Sequence, residues 1–348
     1  MDQTVGKILV VGGAGYIGSH MNLALREHDY DLLVLDDFST GYQDALLGEN
    51  HIQGSLGDPA LLKKIFKDQK ISAVMHFGAF IQVGESVKDP SKYYQNNLVN
   101  TLNLLNAMRE AGVNKFIFSS TAAVFGEPQY VPIDESHPKN PVNPYGRSKL
   151  MIEQILADFD LAYGLKSVVL RYFNAAGADP LCRVGERHEP ETHLIPLVLE
   201  AILGKREAIT VYGRDYDTPD GTCIRDYVHI SDLCEAHLLA LKYLLNSDES
   251  LHEKSLESRA YNLGNGNGFS VQEVIDTAKR VTENSEGGGP LKVLEGTRRA
   301  GDPARLMADS SLAKKELGWS PKYPSLEKII EHAWAWVLKR HQNSWEGI

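Results

Sequence analysis

Residues 7–37 read KILVVGGAGYIGSHMNLALREHDYDLLVLDD, and the fold turns on how this stretch divides. Lys7–Val11 is a short apolar run, rich in β-branched residues and closed by glycine, the pattern of a buried strand. From Tyr16 to about Glu27 the apolar residues Ile17, Met21, Leu23 and Ala24 suit a helix. Asp31–Leu35 is a second strand. Strand, glycine turn, helix and strand make a βαβ unit. Its turn holds Gly12, Gly15 and Gly18. Glycine at such positions permits a tight turn, close approach of backbone to a pyrophosphate, and close packing of helix on strand. The start of the helix offers free N–H groups and a partial positive charge to phosphates. Asp36 follows the second strand; a carboxylate there can accept hydrogen bonds from a ribose diol and repels a 2′-phosphate. The next residues are Asp37, Phe38 and Ser39, with no arginine. The pattern points to NAD rather than NADP, against the plain alternative of a glycine turn without a ligand.

Further strands are expected at 73–77, 115–119 and 167–171, with helical patterns between them, notably 93–111 and 148–163. Alternating strands and helices predict an α/β fold with a parallel, doubly wound, Rossmann-type sheet. Ligands in such sheets bind beyond the carboxyl ends of the strands. The stretches that follow the strands are GGAG (12–15), DDFST (36–40), FGAF (77–80), SSTAAVFG (119–126) and RYFNAAG (171–177). The third and fourth are small, polar or aromatic rather than charged, which suits a nicotinamide ring in a largely apolar pocket. Residues 143–149 read NPYGRSK. Tyr145 and Lys149 stand four apart, on one helix face. A phenol with its ordinary pKa of about 10 is a poor base at neutral pH, and a neighbouring ammonium favours the phenolate. Alone, the pair also reads as a surface tyrosine and a solvated lysine. Thr121 could hydrogen-bond a substrate hydroxyl or the tyrosine; alone, it also reads as a strand-end cap. Glycine turn, Asp36, the Ser119–Thr121 run and Tyr145-x-x-x-Lys149, in this order and at strand ends, are jointly hard to produce by chance.

The totals bound the alternatives. The chain has 348 residues and a formal net charge of −10, which argues against a polyanionic partner such as nucleic acid, since phosphate backbones need a basic patch. Cys182, Cys223 and Cys234 show neither metal-type spacing nor a disulfide framework, so a reducing, cytoplasmic setting and no metal are expected. The start of the chain, MDQTVGKILVVGGAG, carries Asp2 and no long apolar stretch, unlike a leader. No apolar run reaches the length of a membrane span, and no internal repeat is seen. From about residue 175 the texture changes to Gly-, Pro- and Asp-rich loops with short helices such as 193–203, which reads as a smaller substrate domain. Residues 284–290 suit an exposed turn, and the end of the chain an amphipathic helix.

These stretches together resemble the extended short-chain dehydrogenase/reductase family. The resemblance runs nearly the whole chain: GGAGYIGSH (12–20), HFGAFIQVGES (76–86), YYQNN (93–97), SSTAAVFGEP (119–128), NPYGRSK (143–149), LRYFNAAGADP (170–180), ETHLIPLV (191–198), VYGRDYDTPDGTCIRDYVHI (211–230) and RRAGDPARLMAD (298–309). The first and fifth mark the superfamily; the RYFN, DGTCIRDY and RRAGDP stretches are similar to its nucleotide-sugar epimerases. The resemblance implies that Tyr145 is the base, Lys149 its partner and the nicotinamide-ribose anchor, and Thr121 the hydroxyl that completes the site. It implies NAD contacts at Gly12, Gly15, Tyr16, Ile17, Gly18, Asp36, Ser55, Leu56, Phe77, Asn96 and Tyr172. For the UDP-sugar it implies Asn174, His193, Leu194, Tyr212, Arg225, Tyr227, Arg299, Asp302 and Leu306, besides Thr121 and Tyr145. Two arginines can neutralise a diphosphate bidentately, and an aromatic at 212 can stack on uracil. Ser55 stands where the family usually has an Asp beside the adenine, Ile81 where some members have a cofactor-contacting Lys, and His193 where some have a uridine-site Asn.

The implied activity is reversible C4 epimerisation of UDP-glucose and UDP-galactose through a 4-keto sugar. A 4-epimerase of UDP-N-acetylglucosamine or a UDP-pentose is the main alternative. In 4,6-dehydratases an Asp-Glu pair follows the threonine; here Ala122 and Ala123 do. Dinucleotide sensors on this scaffold commonly lose the Tyr or the Lys, and both remain. Leu306, four residues after Asp302, is implied to border the C2 substituent of the sugar. The family pattern also implies a homodimer paired through the 93–111 and 148–163 helices. It divides the chain into an NAD domain, 1–174 with return segments near 226–246 and 260–264, and a UDP-sugar domain, 175–348.

Overall fold

Along β1 (Lys7–Val11), Ile8 and Val10 enter one hydrophobic core, and Leu9 and Val11 enter another. That alternation means that both faces of the strand are covered, as a central parallel strand requires. The computed structural model describes residues 6–245, 256–299 and 301–345 of the chain. Residues 1–5, on which the argument about a leader rested, and Ala300 of the RRAGDP stretch lie outside them, as do 246–255 and 346–348. β1 pairs on one side with β2 (Leu32–Asp36), which pairs with β3 (His51–Gln53). On its other side it pairs with β4 (Ile71–His76), followed by β5 (Lys115–Thr121), β6 (Lys166–Tyr172) and the Arg259–Leu263 strand. All seven strands are parallel, and the strand order reverses at β1.

One face of the sheet is covered by α1 (Tyr16–Glu27) and the Ile230–Leu245 helix, through Met21, Leu25, Leu233 and Leu241. The other is covered by α2 (Pro59–Asp68) and the Asn100–Glu110 and Pro144–Tyr163 helices, through Leu62, Phe66, Leu104, Met108, Ile152 and Leu156. A third core lies beyond the carboxyl edge. It joins the Leu194–Ile202, Val271–Thr282 and Leu326–Trp345 helices to a small sheet built on Ile224–His229 and a parallel Ile209–Tyr212/Val293–Gly296 pair. The chain thus weaves between the two parts: residues 224–229 serve the small sheet, and 230–245 and 259–263 the large one. Among the described residues no helix is long and apolar enough to cross a membrane.

Two elements depart from the sequence expectation. The helix expected from 148 begins at Pro144, where proline suits a first turn because its missing N–H is not needed there; Asn143 caps it, accepting from Gly146 N at 2.8 Å. The single helix expected over 93–111 is instead a short Pro90–Tyr93 helix, a π-helical turn over Tyr94–Val99, and an α-helix over Asn100–Glu110. The Thr101 hydroxyl donates to the Asn97 carbonyl at 2.7 Å, inside the widened turn, while the Asn97 side chain is held by Phe80 outside the helix.

Candidate active site

The glycine turn after β1 is tight for a physical reason. Gly12 has φ +78°, and a Cβ on it would lie 2.4 Å from Gly78 N. A Cβ on Gly18 would lie 2.1 Å from the Gly12 carbonyl, so α1 could not approach the turn. At Gly15 a Cβ would meet only Gly12 O, at 3.5 Å; this glycine keeps the backbone bare towards the groove. No side chain caps α1, which leaves its first N–H groups free to meet an anion. Asp36 accepts from Ala14 N through one carboxylate oxygen and from Phe38 N through the other, both at 2.8 Å. Each oxygen keeps a further lone pair for a hydroxyl. Burial pushes this carboxyl up, against those two hydrogen bonds.

From this turn one cavity of about 1140 Å³ runs across the carboxyl ends of the strands to the third core. Every residue singled out in the sequence as a site candidate borders it, including Ser55, Leu56, Phe77 and Tyr172 on the β1 side and Leu194, Tyr227 and Leu306 on the far side.

Tyr145 lies in the first turn of the Pro144–Tyr163 helix and is 8% exposed. Burial pushes its phenol up, and a hydrogen bond with the Thr121 side chain opposes that. Thr121 ends β5, and its oxygen accepts from Ala123 N at 3.1 Å. Lys149, one turn further along the same helix, is held against β5. Its ammonium donates to the Ser119 carbonyl at 2.9 Å and sits 4.8 Å from the Phe118 ring centre. Burial pushes Lys149 down to about 7, and the Glu153 charge works against it.

Several side chains were missed from sequence. Glu153 is four residues beyond Lys149 on the same face, so the i, i+4, i+8 spacing of Tyr145, Lys149 and Glu153 was the available signal. It pairs with Arg171 at 2.8 Å, both side chains nearly buried, and accepts from the Ser120 hydroxyl at 2.6 Å. His237 Nδ1 donates to the Leu233 carbonyl at 2.8 Å; its Nε2 lies 3.1 Å from Ser119 Oγ. Asn97 holds Phe80 N and Phe80 O, both at 2.9 Å, and is in turn bonded by its neighbour Asn96. No local pattern signals Asn97 or His237, because the contacts that tie them to the site, with Phe80 and Ser119, are distant in sequence.

On the far side Arg225 donates to Asp302 at 2.5 Å and to the Ile224 and Pro303 carbonyls at 2.8 and 2.9 Å. Its guanidinium is thereby fixed in direction. Asn174 donates to the Asp226 carbonyl at 2.9 Å. The Arg299 guanidinium lies over the Tyr212 ring at 4.1 Å, so the residues expected at the diphosphate and the uracil meet each other. His193 bonds to Glu186. Leu306 packs beside Val124, Phe125 and Ile133.

The groove fits NAD: a bare glycine turn opens onto free helix N–H groups, Asp36 has spare acceptor capacity, and the cavity continues to a buried phenol. The comparisons agree. Residues 8–264 match the NAD dependent epimerase/dehydratase family. A UDP-glucose 4-epimerase of Halalkalibacterium halodurans is 51% identical over 329 residues, which cover 94% of this chain and 95% of the relative. A crystal structure of UDP-glucose 4-epimerase from Brucella ovis in complex with NAD superposes with a TM-score of 0.89 at 45% identity, covering 95% of this chain and 98% of that one. The structure of the UDP-Glc/GlcNAc 4-epimerase from Campylobacter jejuni gives a TM-score of 0.81 at 44% identity, covering 96% and 99%. On these residues, this sheet and these relatives, the chain belongs to the NAD dependent epimerase/dehydratase family.

Proposed function

We propose that this protein interconverts UDP-glucose and UDP-galactose by inverting C4 of the hexose, with NAD as its resident cofactor. The observation that supports this reading is that Tyr145 and Thr121, in hydrogen-bond contact, line the same cavity as the glycine turn with Asp36 and the pair Arg225–Asp302. When bound, NAD supplies the acceptor and donor of hydride, so that C4 passes through a ketone and the cycle is redox-neutral. Tyr145 takes the proton of the sugar 4-hydroxyl and later returns it to the C4 oxygen, while inversion follows from the hydride coming back to the opposite face of the carbon. The Thr121 hydroxyl donates to the phenolic oxygen and stabilises its charged form. Lys149 orients towards the cofactor ribose from its anchor on the Ser119 carbonyl, and its positive charge favours phenolate. Arg225 and Arg299 hold the diphosphate, with Asn174 and Tyr212 beside the nucleoside. A firm hold on UDP and few polar groups around the hexose let the ketone turn over without leaving.

The test is a coupled assay. The purified protein should convert UDP-galactose to UDP-glucose without added oxidant, and denaturation should release NAD. Substrate deuterated at C4 should keep its label; loss of the label to solvent would overturn the mechanism. A broader range is favoured by one observation: Leu306 at the cavity wall is smaller than an aromatic residue and leaves room beside the sugar. UDP-N-acetylglucosamine should then be accepted as well, as the Campylobacter jejuni relative's name says of that enzyme. Leu306→Tyr should suppress that activity and spare the hexose pair. If the parent protein never converts the N-acetyl sugar, the range is narrow and the epimerase reading stands.

We also propose a homodimer. Val99, Met151 and Leu161 are 42%, 38% and 91% exposed on or beside the Asn100–Glu110 and Pro144–Tyr163 helices, apolar side chains that a second copy would cover. Sedimentation velocity should give the mass of two chains. The three cysteines are free thiols, in keeping with a reducing, cytoplasmic setting.

A further inference from the structure

A single stretch, residues 186–193, brings Glu186, His188, Glu191 and His193 together. One nitrogen or oxygen from each lies within 4.8 Å of those of the others. His188 Nδ1 is 3.3 Å from Glu186 Oε1 and 3.5 Å from Glu191 Oε2. His193 Nδ1 touches the same oxygen of Glu186 and lies 4.0 Å from Glu191 Oε1. The two rings stand at 90° with centres 5.1 Å apart. Four ligands about 2.1 Å from a tetrahedral ion stand roughly 3.4 Å from one another, which is the spacing of His188 Nδ1 from both carboxylates; His193 stands nearer to Glu186 and farther from Glu191.

Two further observations point to a ligand. His188 Nδ1 is buried and makes no hydrogen bond, although two carboxylates are within reach; a lone pair directed between oxygens suits a cation better than an N–H does. The carboxylates are also turned inward, with side chains only 6% and 7% exposed. Glu191 is held there by Thr192 N and His193 N at 2.7 and 2.9 Å. Two buried carboxylates need positive charge beside them.

We propose that Glu186, His188, Glu191 and His193 bind one divalent transition-metal ion of the zinc class. Two imidazoles and two carboxylates are a mixed donor set that suits zinc, whereas calcium and magnesium prefer oxygen alone. Two carboxylates and two neutral imidazoles around a dication are also neutral overall. Four protein ligands leave no open position, so the ion is structural rather than catalytic. It fastens the loop between Ala176 and the Leu194–Ile202 helix, which forms one wall of the cavity and rests its His188 ring against Tyr16 of the glycine turn. His193 then reaches the substrate side only through Nε2. The competing arrangement holds the cluster by protons: burial opposes an imidazolium at His188, but the two carboxylates beside it, Glu186 and Glu191, outweigh burial and push the group up to about 10.

The experiment uses full-length, NAD-loaded protein. Elemental analysis after dialysis should find one zinc per chain. After removal with a chelator, cobalt(II) should restore one equivalent with the intense visible absorption of a tetrahedral site, and zinc should displace it. The double variant His188→Ala/His193→Ala should lose that absorption and the bound metal, while His28→Ala, at an exposed surface site, should keep both. Retained NAD in the double variant shows that it is folded. Should it not fold, Glu186→Gln and the parent protein's own cobalt spectrum decide. A parent protein that gives no tetrahedral cobalt spectrum, or a folded double variant that binds metal as the parent does, would overturn the proposal. Neither outcome depends on epimerase activity.

Discussion

Tyr145 shows how little of a residue's chemistry is its own. Burial alone makes its phenol a weaker acid, and only the Thr121 contact works the other way. As the proposed base it therefore needs charges around it, which in the proposed mechanism Lys149 and NAD, when bound, would provide. Tyr145→Phe should lower turnover about 10²–10⁴-fold, the usual worth of a positioned base, while UDP-sugar still binds. Stopped-flow turnover and a titration with UDP-glucose separate the two effects; near-normal turnover would remove Tyr145 from the mechanism. At this scale the sequence was largely legible. Tyr145, Lys149, Thr121 and Asp36 stand in short, ordered motifs, and all four border one cavity; their roles rest on the family resemblance. What stayed hidden was the setting: the Ser119 carbonyl accepts from the Lys149 ammonium, and Glu153 meets Arg171 across 18 positions. Such pairs exist only once strands 5 and 6 lie side by side.

Among the elements, β1, α1 and β2 were readable because each carries one period and is bounded by glycine. The 93–111 segment was not. Its apolar spacing continues without a breaker, yet the helix widens over Tyr94–Val99. The cause is tertiary. Asn97 clamps both polar groups of Phe80, in the loop that follows β4, and reaches Ser148 at 3.3 Å on the helix that carries Tyr145. Turns of this kind recur at functional sites, and here one side chain ties three walls of the cavity together. Asn97→Ala should leave the Phe80 groups without partners at a cost on the order of 1–3 kcal/mol each. The denaturation midpoint should fall, and amide exchange should quicken in residues 77–82. Asn96→Ala, which removes only a donor to Asn97, should be much milder. Equal effects from the two variants would refute the clamp.

For the whole molecule, the sheet that creates the cavity also creates a vulnerability to acid. The doubly wound order was legible from the alternation of strands and helices. The return of 259–263 to the sheet edge rested on the family pattern, since a five-residue strand carries little periodicity of its own. Packing that edge and the helices above it buries three histidines: His76, His229 and His237 are each at most 2% exposed. Burial pushes their imidazoles down to about 3, about 3 and about 4. Lys149 adds to this at His76, His332 and His20 add at His229 against Asp179, and the Leu233 carbonyl opposes it at His237. His229 Nδ1 accepts from Ser231 N at 3.0 Å, so a proton there would break that bond. In the unfolded chain a histidine takes up its proton near pH 6.5. Below that pH the unfolded state holds more protons than the folded one, so stability falls as pH falls, by about 1.4 kcal/mol per pH unit for each histidine. Asp226 acts in the opposite sense. Burial pushes it up to about 6 against the hydrogen bonds it accepts from Ala308, Asn265 and Gly266. It therefore gains its proton earlier in the folded state, and from about pH 6 to about pH 4 it offsets one histidine. His20, which burial likewise pushes down to about 4, adds a fourth histidine, so the balance of these groups is a loss of about 4 kcal/mol per pH unit over that window, comparable over two pH units with a stability of about 5–15 kcal/mol. Urea denaturation at several pH values between about pH 7 and about pH 5 should show midpoints that fall steadily below about pH 6.5. His237→Gln, which cannot titrate, should flatten the slope by about one histidine's share; a slope unchanged by that variant, or midpoints independent of pH, would assign the acid sensitivity elsewhere.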